Sequence, residues 1–319
     1  MFKTKKMLVL LMILSLVGSM FIGCSTNSAT DSAPKEKIIK IGVSISSFDD
    51  TFLMYMKDGM EEYAKTLDQK IEVTYVDAKE DVATQLGQVE NFITQEMDSI
   101  VVIPVNTEAT QPITDAANEA NINLIYVNRL PANLPENVTF VGSKSIDAGL
   151  FQMEYLAEKM GGKGNVVIMM GKLSNEASLK RTEGVHEIAD KFDDIDVIKE
   201  QTAEWSRAKG MSLMENWISS GDEITAVACN NDDMALGAIE ALQAAGLKDK
   251  ILVGGVDATP DAIASLAKGD LDVTVFQDAS GQGRGGIESA YKLAIGETVD
   301  HEVWIPFKLV TPDNYKDFQ

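Results

Sequence analysis

The sequence predicts an α/β protein built from two consecutive units of parallel, doubly wound sheet. Short runs rich in β-branched residues alternate with stretches of helical periodicity over residues 38–127, and the same alternation begins again after Val141. A chain of 319 residues is long enough for about two domains. We therefore expect two α/β units of similar size with a cleft between them.

Each element is predicted from an apolar run of strand length or from a longer amphipathic stretch. In the first unit, strands are predicted over residues 38–45, 71–76, 99–103 and 123–127, with helices over residues 51–67 and 82–96. In the second unit, strands are predicted over residues 165–170, 196–201, 225–229 and 251–256, with helices over residues 176–192, 207–219, 232–245 and 260–268. Ligands of open parallel sheets bind beyond the carboxyl ends of the strands, so we expect the site there.

The first 24 residues predict export and attachment to a membrane. Three lysines precede an apolar run over residues 7–17 that is too short to span a bilayer, as in a secretory signal peptide. The FIGC stretch that follows resembles a bacterial lipobox, although Phe21 stands where leucine is usual; the alternative is an ordinary signal with a chance cysteine. We expect a lipoprotein signal peptide at residues 1–23, lipidation at Cys24 and a flexible tether over residues 24–37.

Charge and cysteine content exclude several partner classes. The net charge is −21, and removal of residues 1–23 would take away three lysines and no acidic residue. Such a surface repels nucleic acid phosphates and anionic lipid, so we expect no nucleic acid partner. Cys229 lies in a run typical of a buried strand, and we predict a small core residue there, not a nucleophile. We expect a monomer that is stable without disulfides.

Polar and aromatic residues stand where the predicted strands end. Asp49, Asp50 and Phe52 lie between the first strand and the first helix. Polar residues that follow other strands are Asn128, Arg129, Asn231, Asp232, Asp257, Gln277 and Asp278. Carboxylates accept hydrogen bonds from hydroxyl groups and arginine donates them in a fixed fork, while aromatic rings suit apolar C–H faces. This combination suits a small ring that carries several hydroxyl groups.

Six motifs together resemble one known family. In chain order they are SSFDDTF, IYVNRLP, RTEG, CNNDDMALGAIEAL, VGGVDATPDAI and TVFQDA. In order and spacing they are similar to the type I periplasmic sugar-binding proteins of ABC transporters, above all the glucose/galactose-binding and ribose-binding proteins, over residues 38–319. The resemblance implies two Rossmann-like lobes that are joined by a three-crossover hinge and close over one sugar. The lobes it implies are residues 38–141 plus 279–306 and residues 142–278 plus 307–319.

The resemblance also implies a set of ligand-binding residues. Asp50 and Phe52 match an aspartate and a phenylalanine that hold the sugar, and Trp205 matches the aromatic residue that covers the opposite face of the ring. Arg181 matches an arginine that bonds ring or hydroxyl oxygens. The other residues implied are Asn128, Arg129, Asn231, Asp257 and Gln277.

Departures from the family pattern leave the identity of the ligand open. Pro104 stands where both relatives have an asparagine ligand, and Ser46 replaces an aromatic polar contact. Asn175 and Ala177 replace a histidine and an aspartate of the glucose branch, and Asn128 replaces an acidic residue. We therefore expect a hexose, a pentose or an inositol-like cyclitol.

Several candidates also have a simpler structural interpretation. Asp49 is predicted to cap the first helix, and capping is the alternative role for Asp50. Trp205 could belong to the core, and Arg181 could be a solvated helix residue. Of the next pair, Asn231 and Asp232, one is expected to begin the following helix.

Metal, cofactor and catalytic motifs are weak. The GQGRGG run at residues 281–286 satisfies the dinucleotide fingerprint after a strand and before a helix, but lies too near the C-terminus to open a βαβ unit. The acidic run at residues 193–196 lacks the features of a calcium loop, and we predict a solvated turn. The calcium loop of the glucose/galactose branch is missing, since residues 161–164 lead straight into a strand. With only His186 and His301, we expect no cofactor, no metal and no His-based catalysis.

Three classes of function follow. The first is a lipid-anchored, extracytoplasmic receptor that delivers a monosaccharide or cyclitol to the permease subunits of an ABC transporter. The second is a sugar-sensing receptor of the same fold that signals to a membrane kinase or chemoreceptor, which the sequence does not separate from the first. The third is a secreted enzyme, disfavoured because no nucleophile, base and orienting residue occur together.

Overall fold

The computed structural model describes residues 37–67 and 70–319. The predicted signal peptide and Cys24 lie outside these residues, as does the predicted tether except for Lys37. Lys37–Gln319 forms one compact unit. No helix of the described residues is long and apolar enough to cross a bilayer.

Strands and helices alternate along the described chain, which confirms the predicted α/β class. The strands are β1 (Ile39–Ile45), β2 (Ile71–Asp77), β3 (Ser99–Ile103), β4 (Asn123–Val127), β5 (Thr139–Gly142), β6 (Lys163–Met170), β7 (Asp194–Thr202), β8 (Ala226–Cys229), β9 (Leu252–Gly254), β10 (Thr274–Phe276), β11 (Glu302–Trp304) and β12 (Lys308–Val310). The helices are α1 (Thr51–Ala64), α2 (Val82–Thr94), α3 (Gln111–Glu119), α4 (Ser145–Lys159), α5 (Glu176–Ala189), α6 (Arg207–Ser220), α7 (Asp232–Ala244), α8 (Pro260–Lys268) and α9 (Ala279–Ala294).

A six-stranded parallel sheet forms the centre of the first lobe, with strand order β11-β5-β4-β3-β1-β2. Its two faces are both apolar, as the continuous hydrophobic strands require. On one face Val43 and Val101 pack with Met56 of α1 and Ile287 of α9. The opposite face packs against α2 and α3.

The second lobe is built in the same way around a smaller sheet. Its parallel strands have the order β7-β6-β8-β9, and β10 runs beside β9 through isolated bridges at Gly254 and Asp257. β12 pairs with β10 in the antiparallel direction. One face of the sheet packs against α6, α7 and α8, and the other against α4 and α5.

The chain passes between the two lobes three times. It leaves the first sheet after β5, returns after β10, and crosses again between β11 and β12, since β11 pairs with β5 whereas β12 pairs with β10. The returning helix α9 belongs to the first sheet, where Ser99 donates from its Oγ to the carbonyl of Ala290 at 2.8 Å. The three crossovers implied by the family resemblance are thus present.

The glycine run at residues 281–286 lies inside α9, so the prediction that it precedes a helix was wrong. Asp278 caps α9 by accepting a hydrogen bond from the Gly281 amide at 2.7 Å. Gly283 lies against α1 so closely that a methyl group there would overlap the Met56 carbonyl. The run therefore packs two helices together and does not form the turn that binds a dinucleotide phosphate.

Some predicted boundaries differ from the observed ones for local reasons. α1 ends at Ala64, since the amide and hydroxyl of Thr66 both donate to the Tyr63 carbonyl. β9 ends at Gly254, and the amides of Gly255 and Asp257 donate to the β10 segment instead. The acidic run predicted as a turn is partly strand, because β7 begins at its second residue.

Candidate functional site

The nine residues predicted to bind a ligand line one cavity between the lobes. About 350 Å³ of space between these residues is not filled by protein atoms, and part of it is open to solvent. It lies beyond the carboxyl ends of both sheets, where open α/β sheets bind ligands. The lining residues are Asp50, Phe52, Leu53, Asn128, Arg129, Ala177, Arg181, Trp205, Asn231, Asp257 and Gln277.

Asp50 has two structural roles at the start of α1. One carboxylate oxygen caps the helix by accepting from the Leu53 amide at 3.2 Å, and the other lies 3.5 Å from Nη2 of Arg129. The prediction that Asp49 caps this helix was therefore wrong. The Asp49 amide instead donates to Ser47 Oγ at 3.1 Å. The N-cap is Asp50, and α1 begins at Thr51.

The first helical turn directs apolar groups at the cavity. Phe52 and Leu53 are both buried and both line it, and they also pack in the core between α1, α9 and the sheet. An aromatic ring held by such packing loses few rotamers when it contacts a ligand. Leu53 was not predicted from the sequence, because a leucine in an amphipathic helix usually indicates only core packing.

Arg129 is positioned by the residue that departs from the family pattern. Its Nη1 donates to the carbonyl of Pro104 at 2.9 Å, and its side chain is almost fully buried beside Asp50. This acceptor is a backbone carbonyl that any residue at position 104 would have, so proline removes the side-chain amide of the family pattern without removing the contact to Arg129. Asn128 adopts a left-handed backbone conformation (φ 68°), and its Nδ2 donates to Gln282 Oε1 at 3.0 Å.

Arg181 is the buried cation of the second lobe, so its alternative as a solvated residue was wrong. Nη1 donates to the Asn230 carbonyl at 2.6 Å and Nη2 to Gln277 Oε1 at 2.7 Å, while Asp257 Oδ1 lies 3.8 Å away. Among the described residues its buried Nε has no hydrogen-bond partner. An unpaired buried donor in a cavity wall is costly unless a ligand accepts from it.

Trp205 lines the cavity, and its indole N–H is hydrogen-bonded to a side chain that does not line it. Nε1 donates to Asn175 Oδ1 at 2.9 Å, and the guanidinium carbon of Arg181 lies 5.6 Å from the ring centroid. The ring packs over Gly171, where a methyl group would overlap it. Trp205 is only partly buried, and it lies at the margin of the core cluster and not inside it.

Of the pair Asn231 and Asp232, the first caps the following helix and the second is a buried hydrogen-bond acceptor. Asn231 caps α7 by accepting from the Met234 amide at 3.0 Å, and it also lines the cavity. Asp232 is fully buried and accepts from the Thr259 amide at 2.8 Å and the Thr274 hydroxyl at 2.7 Å. The Asp232 amide also donates to the Val256 carbonyl at 2.8 Å, so Asp232 holds the chain on both sides of Asp257, whose backbone has the unusual φ of 125°.

Burial dominates the electrostatics of the site. It raises the pKa of Asp50, although the charge of Arg129 opposes this. It raises the pKa of Asp257 well above its ordinary value, with Arg181 again opposing, and it lowers the pKa of Arg181 against the effect of Asp257. Each acid therefore faces one arginine, so the cavity offers strong donors and acceptors close together.

The described part of the chain contains no cluster of metal-binding side chains, and its cysteine and histidines lie away from the cavity. No group of three or more His, Cys, Asp or Glu side chains there could hold a metal ion. Cys229 is buried, and burial raises its thiol pKa, as expected for a core residue. His186 pairs with Glu200 at 2.8 Å and His301 with the Pro135 carbonyl at 3.0 Å, and neither lines the cavity.

Two further departures from the family pattern have structural explanations. Ala177 lines the cavity and leaves space where the glucose branch has an aspartate. Ser46 is buried and does not line the cavity, and its carbonyl accepts from the Glu80 amide at 2.8 Å. The cavity therefore has fewer polar side chains on these sides than the glucose branch has.

Comparisons with known proteins identify the family of this chain. The family model described as "Periplasmic binding protein domain" matches residues 41–298. A putative rhizopine-binding protein of Rhizobium meliloti is 48% identical over 285 residues, covering 88% of this chain and 92% of that protein.

Two solved structures with bound myo-inositol are also similar. A solute-binding protein of an ABC transporter from Bacillus halodurans is 45% identical, with a TM-score of 0.86 over 89% of this chain and 98% of that one. The Caulobacter myo-inositol binding protein is 26% identical, with a TM-score of 0.83 over 88% and 95% of the two chains. The resemblance found in the sequence is confirmed: this chain belongs to the periplasmic binding protein family.

Proposed function

We propose that this protein is the extracytoplasmic solute-binding component of an ABC transporter and that its ligand is a cyclic polyol, with cyclitols of the myo-inositol type as the leading candidates. The observation that carries the proposal is the cavity itself. Two acid–arginine pairs, Asp50 with Arg129 and Asp257 with Arg181, surround it together with Phe52 and an indole ring.

The chemistry of a cyclitol suits these groups. Each hydroxyl group both donates and accepts, so it can bridge a carboxylate and a neighbouring guanidinium. The ring carries axial C–H bonds on its faces, which pack against aromatic surfaces. Asp257 and Arg181 then bind rim hydroxyls from the second lobe while Asp50 and Arg129 bind them from the first.

The bound molecules of the two similar structures support the choice of cyclitol. The Bacillus halodurans protein, at 45% identity, and the Caulobacter protein both hold myo-inositol. Ala177 and Pro104 also favour a ligand other than plain glucose or ribose, because both replace polar contacts that those sugars receive in the resembling proteins.

Closure of the lobes is the proposed mechanism of capture. We assign residues 38–141 and 279–306 to the first lobe and residues 142–278 and 307–319 to the second. Each lobe supplies one acid, one arginine and one aromatic residue, so a ligand held by one lobe alone lacks about half of its contacts. Capture and delivery of the ligand require only that it binds, without a chemical reaction. The permease would then recognise the closed form.

Attachment at the membrane surface is part of the proposal. A signal peptide at residues 1–23 and lipidation of Cys24 would hold the protein outside the cytoplasm, next to the permease, through a tether that ends near Lys37. Mass spectrometry of the membrane fraction tests this directly: the N-terminal peptide should carry acyl chains on Cys24, and an unmodified Met1 or Cys24 would contradict it.

A thermal-shift screen tests the ligand class. The panel contains inositols, hexoses, pentoses and autoinducer-2-type sugars, and the protein begins after Cys24. A ligand that binds only the folded state stabilises it by about 2.7 kcal/mol at a hundredfold excess over Kd, which raises the melting temperature by several degrees. A shift with an inositol supports the proposal, whereas no shift with any compound would contradict it.

A further inference from the structure

Asn175 connects the aromatic wall of the cavity to the opposite lobe. Its Oδ1 accepts from the indole Nε1 of Trp205 at 2.9 Å, and its Nδ2 donates to the carbonyl of Val105 at 3.1 Å. Trp205 belongs to the second lobe and Val105 follows β3 of the first lobe. A single side-chain amide at the edge of the indole ring therefore links the two lobes.

The two partners leave only one orientation of this amide. If its oxygen and nitrogen were exchanged, the NH₂ group would face the indole N–H and the oxygen would face the Val105 carbonyl, so both hydrogen bonds would be lost. Asn175 has no exposed surface and does not line the cavity. It therefore contacts Trp205 and the first lobe, and not the ligand.

The bond to Val105 joins residues of different lobes, so separation of the lobes at this point would break it. Neighbouring contacts close the same seam: the Thr107 amide donates to the Ser174 carbonyl at 3.0 Å, and the Glu176 amide donates to Thr107 Oγ1 at 3.2 Å. On opening, Asn175 would lose its first-lobe partner while keeping the indole.

Trp205 needs such a restraint because the rest of its environment is unusual. Glu204 and Trp205 both have left-handed backbone conformations, with φ of 54° and 66°. Such conformations are uncommon outside glycine and are maintained by surrounding structure. The indole packs over Gly171 and faces the Arg181 guanidinium, and its N–H makes its hydrogen bond to Asn175.

We infer that Asn175 is a positioning residue that couples lobe closure to the orientation of the Trp205 ring over the ligand. This inference rests on the proposed function, since it assigns a role within the same binding site. Closure orders the amide through Val105, and the ordered amide fixes the indole against the ring face of the polyol.

The test uses full-length protein in mild detergent, labelled with 5-fluorotryptophan, with myo-inositol as the probe. Its variants are Asn175→Ala, Asn175→Asp, Trp205→Phe and the double variant Asn175→Ala/Trp205→Phe. Glu183→Gln is the matched control, because its exposed carboxylate pairs with Lys180 within the same helix and leaves both Asn175 bonds intact. Stopped-flow kinetics give the dissociation rate, and ¹⁹F NMR follows the Trp205 resonance, assigned by its loss in Trp205→Phe.

Asn175→Ala should weaken binding about tenfold, mainly through faster dissociation, and should shift or broaden the Trp205 resonance of the complex. The double variant should bind no worse than the weaker single variant, since both changes break one connection. Asn175→Asp keeps the indole acceptor but loses the donor to Val105, so it should preserve the resonance without ligand yet still dissociate faster. Glu183→Gln should behave as wild type.

Additive effects of the two single changes, or Asn175→Ala binding within about twofold of wild type, would overturn the inference while leaving the proposed function intact. Failure of the wild-type protein to bind any inositol or sugar would instead overturn the proposed function, and the inference with it.

Discussion

Glu80 and Lys172 join the two lobes at the mouth of the cleft, with a carboxylate oxygen and the ammonium nitrogen 2.8 Å apart. Glu80 follows β2 in the first lobe and Lys172 follows β6 in the second. Both side chains are partly exposed, so the pair is worth about 1 kcal/mol or less and is screened by salt. It nevertheless joins residues of different lobes, so separation of the lobes at this point would break it.

Glu80→Gln should therefore weaken ligand binding by up to about fivefold at low ionic strength, and the difference from wild type should shrink in high salt. Calorimetric titrations at two salt concentrations measure this. The matched control is Glu183→Gln, which breaks an exposed pair with Lys180 within one helix and should leave affinity unchanged. A loss that persists in high salt would contradict an electrostatic contribution to closure.

Trp205 should contribute to affinity and not to folding. Trp205→Ala should weaken polyol binding at least about tenfold and leave the melting temperature of the ligand-free protein nearly unchanged, because the ring lies at the margin of the core. Trp217→Ala is the contrasting variant: that ring is buried in the core, and its loss should cost about 3–5 kcal/mol of stability. A Trp205→Ala protein that unfolds would identify Trp205 as a core residue.

Binding should weaken as the pH falls, and should do so above the usual range of aspartate. Protonation removes the negative charge of Asp50 and Asp257 and turns one oxygen of each into a donor, and burial raises the pKa of both. The dissociation constant should therefore rise as the pH falls from neutral towards the ordinary aspartate range, and Asp257→Asn should flatten this dependence. Titrations over this range at constant ionic strength test the prediction, and an affinity that is constant down to the ordinary aspartate range would contradict it.

Asp232 should make stability depend on pH without contacting the ligand. Burial raises its pKa to about 7 from an ordinary value of 3.8, despite hydrogen bonds from Thr274 and Thr259. Because the folded-state pKa is the higher one, the stabilising contribution is fully present below about pH 4 and is lost as the pH rises through about 7. The free energy of unfolding of wild type, relative to Asp232→Asn, should fall by at least about 1 kcal/mol across that window.

Urea denaturation at several pH values provides the measurement for Asp232. Glu240→Gln, an exposed change in the same helix, is the control. The difference in unfolding free energy between wild type and this variant should change little with pH, since the Glu240 side chain is exposed to water in the folded and the unfolded state. If the difference in unfolding free energy between wild type and Asp232→Asn does not change between about pH 4 and 7, the Asp232 carboxylate is ionised over that whole range, contrary to the prediction.

The glycines of α9 should prove structural. Gly283→Ala places a methyl group against the backbone of α1, where neither helix can yield cheaply, so it should destabilise the protein by about 1–3 kcal/mol. Gly87→Ala in α2 has open space around the new methyl group and should stabilise by about 0.5–1 kcal/mol. Chemical denaturation compares the two, and a neutral Gly283→Ala would show that the helices do not meet at this point.

The sequence was most informative where local patterns carry the information. β3 and β4 begin and end as predicted, because buried β-branched runs of strand length have few alternatives. The ends of α1 and β9 were less predictable, since they depend on a threonine hydroxyl and on pairing with β10. The return of the chain to the first lobe through α9 came from the family resemblance alone.

In the candidate site too, some residues were predicted from local patterns, whereas others depended on the family resemblance or on tertiary contacts. Asp50 and Phe52 are recognisable because unusual side chains stand at a strand end, and the resemblance identified Arg181 and Trp205. Which aspartate caps α1 was predicted wrongly, as two adjacent carboxylates satisfy the same capping rule and only the tertiary contact with Arg129 separates them. The support that Pro104 gives to Arg129 uses a backbone carbonyl, which leaves no signal in residue type.

Isothermal titration of the protein with myo-inositol, beside glucose and ribose, tests the central claim most directly. The account predicts one site per chain with a micromolar or tighter dissociation constant for the cyclitol, about −8 kcal/mol, and weaker binding of the other two sugars. The same titration of the Asp257→Asn protein should show a marked loss of affinity. Wild-type protein that binds no ring polyol, or binding that survives the change at Asp257 undiminished, would contradict the claim that this cavity is a polyol site.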